Sequence, residues 1–60
     1  MMIVHLKSWD DKRELWVRLD SIVGIEKTAV QANGEHLWKI IGDGFSILVK
    51  EVPREIGRFY

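Results

Sequence analysis

Cysteine is absent from this chain, which removes both a disulfide framework and a thiolate zinc site, the two staples that mini-proteins usually rely on. Net charge is absent too, since nine Lys and Arg balance nine Asp and Glu. A typical nucleic-acid module is strongly basic, so no overall field here draws a polyanion. No run approaches the ~20 apolar residues of a membrane span. The opening segment MMIVHLKSW has no charged leader ahead of an apolar run, so neither a transmembrane segment nor a signal peptide is expected, and a cytoplasmic protein is the default.

What is present is globular. Sixty residues with 47% hydrophobic and 30% charged side chains lie well away from the mixtures that stay disordered, and the length fits one domain, residues 1–60. A domain of this size buries only about 60% of the surface its unfolded chain exposes. Self-association is the obvious supplement to so small a core.

Alternation with period two dominates the chain. Val4 and Leu6 alternate with His5 and Lys7, and Leu15, Val17 and Leu19 alternate with Trp16 and Arg18, so residues 2 to 9 and 14 to 20 read as two strands. A two- or four-residue loop within Asp10-Asp11-Lys12-Arg13 pairs Trp9 with Glu14 and Lys7 with Trp16, and puts Val4, Leu6, Val17 and Leu19 on a core face. A turn at Asp20-Ser21 leads into Ile22, Val23 and Ile25, with Gly24 marking a bend or bulge. Asn33-Gly34 is a type I′ hairpin signal that lets the third strand run up to it, the alternative being an irregular loop over 27 to 34. Gly42-Asp43-Gly44 joins Leu37–Ile41 to Phe45–Lys50 by another such signal, in one of two registers: Ile40 against Ile47, or Ile41 against Phe45. In the tail, Val52, Ile56 and Phe59 fall at i, i+4 and i+7, and Pro53 suits the first position of a short helix. The expected fold is mainly β within the α+β class: an antiparallel meander of four to five strands with a short C-terminal helix.

Little here carries chemistry. Ser8, Ser21, Ser46, Thr28, His5 and His36 form no nucleophile motif. His5 and His36 sit on different strands at no recognised metal spacing and read as partly buried structural side chains. No catalytic residue, metal or cofactor is expected, and the chain is not read as an enzyme. One constellation stands above background, the second face of the first hairpin, which gathers His5, Lys7, Trp9, Trp16 and Arg18 beside Ile3 and Glu14. Such a face is covered by the C-terminal helix, or anchors a protein partner, or stacks the bases of RNA or single-stranded nucleic acid. Apolar groups on both sides of the later strands argue for a second subunit, with an isologous homodimer the default.

The order WVRLDSIVGIE, an apolar strand, a Gly-Asp-Gly turn and ILVKEVPREI resembles the small flagellar and swarming-motility proteins of the FlbD type. The matching positions are Val17, Asp20, Ile22, Ile25, Glu26, Gly44, Val49, Glu51 and Ile56. Pro53 replaces the usual polar helix-start residue, and residues 27 to 39 run longer than the family's loop. The resemblance implies a bacterial or phage accessory protein that acts by binding another protein and has no catalytic residues. The functional expectation is therefore a non-catalytic interaction module, acting on a partner protein or on itself, with a nucleic-acid-binding β-domain as the alternative.

Overall fold

The computed structural model describes residues 2–58 of the chain. These form β1 (Ile3–Lys7), β2 (Glu14–Arg18), a 3-10 turn at Leu19–Ser21, β3 (Ile22–Ala32), β4 (Glu35–Gly42), β5 (Phe45–Val49) and α1 (Arg54–Gly57). The strands build two antiparallel sheets, the ribbon β1-β2 and the three-stranded β3-β4-β5. This is the small β-rich α+β fold that the period-two pattern predicts.

The ribbon lies on the three-stranded sheet, and the core fills the space between them. Val4 and Leu6 of β1 meet Ile22, Ile40, Ile47 and Val49 in one buried cluster, against which Leu15, Val17 and Leu19 pack from β2 and the turn after it. Ile56 joins the same cluster from α1. A four-residue helix has no stability of its own in water, so this one buried side chain holds it down. Pro53 stands just before the helix as its N-cap residue, one position earlier than its spacing suggests. Phe59, the third residue of the expected helical stripe, lies outside the described residues.

The first hairpin keeps its expected faces but not its expected register. Val4 pairs with Val17, His5 with Trp16 and Lys7 with Glu14, a slip of two residues from the Trp9–Glu14 alignment. Because side chains alternate with period two, a slip of two leaves every residue on its own face. Ser8 causes the slip. Its N–H donates to Arg13 O at 3.0 Å, its hydroxyl accepts from the Arg13 N–H at 3.0 Å and donates to Asp10 Oδ1 at 2.6 Å, and Asp11 takes a φ of 61° to complete the turn. The loop is thus Trp9–Lys12, closed by Ser8 and Arg13.

β3 runs the full distance to Asn33, so the loop alternative over 27 to 34 is not adopted. It carries two irregularities, at Ile22/Gly24 and at Lys27/Gln31. The second is stitched shut: the Thr28 hydroxyl donates to Leu37 O at 2.8 Å and accepts from the Val30 N–H at 3.2 Å. His36 Nδ1 donates to Thr28 O at 2.8 Å. Asn33 and Gly34 both take positive φ, 54° and 81°, as a type I′ turn requires. In the last hairpin Ile40 opposes Ile47 and Trp38 opposes Val49, which selects the two-residue loop Asp43-Gly44.

Candidate functional site

β1 and β2 carry the outer face of the ribbon on their odd and even residues respectively, in the cross-strand pairs Ile3–Arg18, His5–Trp16 and Lys7–Glu14. All six are exposed. Trp16 is the most open tryptophan, at 65% of its full exposure. The His5 ring stacks on it with centroids 4.8 Å apart and planes 29° from parallel. His5 Nε2 also donates to Glu14 Oε1 at 3.0 Å, since a carboxylate only accepts. The helix does not cover this face, because Ile56 is committed to the core on the opposite side of the ribbon.

Every basic side chain expected on the face has an acidic neighbour. His5 meets Glu14 at 3.0 Å, Lys7 meets Asp11 at 3.8 Å, and the Arg18 guanidinium donates to both Asp20 oxygens, at 3.1 and 2.9 Å. The result is a surface with no excess of positive charge, built round an apolar and aromatic centre of Ile3 and Trp16.

Trp9 is not part of it. The shifted register leaves Trp9 beyond the end of β1, where its N–H donates to Leu48 O at 2.9 Å, and it lines a groove with Glu26, Thr28, Val30, Lys39 and Leu48. Of the five side chains expected together, the fold therefore brings His5, Lys7, Trp16 and Arg18 to one face and assigns Trp9 to another. The signal that could have located this is Ser8, a turn-forming residue two positions before Asp10. The same turn caps the outer edge of β5, because Arg13 Nη1 also donates to Ser46 O at 3.3 Å.

Both histidines are exposed, where the sequence led to the expectation of partly buried side chains. His36 is a structural group, its two nitrogens occupied by Thr28 O and the Gln31 side-chain amide at 3.3 Å. Among the described residues no three His, Asp or Glu side chains gather in a metal-binding arrangement, and no helix is long and apolar enough to cross a membrane.

Electrostatics single out the turn. The Ser8 hydroxyl first, and then the Lys12 N–H at 3.2 Å, hold the Asp10 carboxyl below the usual aspartate range. A carboxyl depressed in the folded state contributes stability that is present above its unfolded value and is lost as pH falls through the folded one. Ser8→Ala is expected to raise the Asp10 titration midpoint towards the ordinary range, as followed by carboxyl-carbon NMR. A midpoint unmoved by the substitution would clear the hydroxyl as the cause. No family model, curated protein or solved structure matches the chain.

Proposed function

We propose that this protein is a non-catalytic interaction module whose outer ribbon face binds a protein partner, with Trp16 as its anchor. The observation that carries this reading is Trp16 itself: a tryptophan open to solvent, held in place by a stacked histidine and flanked by Ile3 and Arg18. A large rigid side chain in that setting matches what anchors protein interfaces, where Trp and Arg dominate the binding energy. A bacterial or phage accessory role, as the FlbD-type resemblance implies, fits such a module.

The nucleic-acid alternative is less well supported. Phosphate tracking needs cationic groups available to release counterions, whereas each basic side chain on this face is matched to a carboxylate.

Trp16→Ala tests the reading. At an exposed site it is expected to cost under about 1 kcal/mol of stability, while loss of an anchor of about 2 kcal/mol weakens partner binding roughly 30-fold. Affinity capture from bacterial lysate would compare wild type with Trp16→Ala, with and without nuclease, at low and high salt. A protein retained by wild type through nuclease and high salt, and lost by the variant, supports the face. Retention that vanishes with nuclease transfers the face to nucleic acid, and equal retention by both proteins removes Trp16 from the site.

A further inference from the structure

We infer that β2 is a self-pairing edge: two copies of this chain join antiparallel along Glu14–Arg18, about a two-fold axis at Trp16, into one four-stranded ribbon. The inference rests on the interaction-module reading and deepens it by naming a second copy as the occupant of that edge.

The ladder of the first hairpin determines which backbone groups are available. Ser8 N–H donates to Arg13 O and Leu19 N–H donates to Met2 O, so positions 13, 15, 17 and 19 turn their hydrogen-bonding groups towards β1. By the alternation of an antiparallel ladder, Glu14, Trp16 and Arg18 turn theirs outward. β2 has β1 as its partner and no strand on its other side among the described residues. The edges of the three-stranded sheet are protected, β3 being interrupted twice by irregularities and β5 capped by Trp9 and Arg13. The ribbon's second edge, β1, would set Ile3 against Lys7 on self-pairing and offers no charge complementarity. Bulges and covering loops are the usual protection of an edge. β2 has no bulge, and the turn that follows it touches the edge at its end, where the Ser21 hydroxyl donates to Arg18 O at 2.6 Å and would share that carbonyl with the second copy.

The sequence Glu14-Leu15-Trp16-Val17-Arg18 is complementary to its own reverse. Centred on Trp16, antiparallel pairing sets Glu14 against Arg18 of the second copy twice over, in hydrogen-bonded positions. It sets Leu15 against Val17 in the closer non-hydrogen-bonded positions, on the core side, where both are only half-buried within one chain. A parallel pairing would instead bring like charges together, which is destabilising. The present partners of the two charges, His5 for Glu14 and Asp20 for Arg18, are exposed pairs of the kind that exchange at little cost. Five paired residues make a small seam by the standard of stable interfaces, so the dimer forms in a concentration-dependent way.

Charge swapping tests this directly. Arg18→Glu and Glu14→Arg, each alone, place like charges at both symmetric contacts and are expected to weaken the dimer roughly tenfold or more. An equimolar mixture of the two restores both attractions and is expected to form heterodimers of about wild-type strength, read by sedimentation across a dilution series. Isotope-filtered NMR should then show Leu15 Hα close to Val17 Hα of the other copy. Arg18→Pro offers a second route: Arg18 has a φ of −71°, which proline accepts, and its N–H faces the open edge, so the fold is kept while the seam loses two bonds. Wild type that stays monomeric at millimolar concentration, single variants that dimerise unchanged, or a mixture that stays monomeric would each overturn the self-pairing. None of these outcomes decides whether Trp16 captures another protein, and equal capture by Trp16→Ala would not touch the heterodimer.

Discussion

Ile40→Ala is expected to leave much of the protein unfolded at room temperature. Ile40 is wholly buried at the centre of the three-stranded sheet, opposite Ile25 on one side and Ile47 on the other. Removing three carbons from such a site costs the lost transfer energy and the cavity, about 2–5 kcal/mol. A domain this small has about 3–5 kcal/mol in total, so the substitution consumes most of it. Urea denaturation followed by circular dichroism should show the midpoint collapse towards zero denaturant. The neighbouring Ile41→Ala, at a half-buried position on the opposite face, serves as the control and should cost far less. Equal midpoints for the two variants would displace Ile40 from the centre of the core.

Gly42→Ala should be the most damaging single-methyl change. A Cβ on Gly42 would fall inside the ring of Phe45, its cross-strand partner at the last turn. The bare glycine is what lets the ring lie across the strand and pack on the core. Alanine would force Phe45 out, at a cost of about 1–3 kcal/mol. Gly24 is the contrast: a Cβ there meets no atom within 4 Å, so Gly24→Ala should be neutral or stabilise by about 0.4–1 kcal/mol through the unfolded chain. A double-mutant cycle with Phe45→Ala isolates the clash. The two substitutions must couple, Gly42→Ala being much milder once the ring is gone, and simple additivity would refute the contact.

The first effect illustrates where sequence reasoning succeeds and the second where it stops. Ile40 shares a strand face with Trp38, which is written in the alternation of residues 37 to 41, whereas its place opposite Ile47 is one of the two registers those residues allow. The Gly42–Phe45 contact is invisible at that level. It depends on which of two acceptable registers the hairpin adopts, and only the packing of Phe45 beside the cluster of Val4, Leu6 and Ile56 distinguishes them.

The candidate face shows the same division. His5, Lys7, Trp16 and Arg18 were legible together because period two survives a register slip of two. Trp9 was not, since its position depends on how Ser8 closes the turn and on the N–H bond that Trp9 makes to β5. His5 and His36 were expected to be partly buried from apolar neighbours in sequence. Strand neighbours point to the opposite face, however, and therefore say nothing about burial of the residue between them. β3 likewise reads as a plain strand, while the three-to-one irregularity at Thr28–Val30 is stabilised by Leu37 and His36 from another strand.

The sequence by itself determined the fold class, the strand segments and the inward residues of the first hairpin, because alternation and turn chemistry act over a few neighbouring residues. Only the tertiary structure decided which register each hairpin takes, that β3 runs as strand up to Asn33, that α1 packs into the core and leaves Trp16 open, that Trp9 joins β5, and that β2 remains an uninterrupted edge. Those outcomes depend on contacts between segments tens of residues apart, whose energies differ by a few kcal/mol between arrangements that look equally good locally.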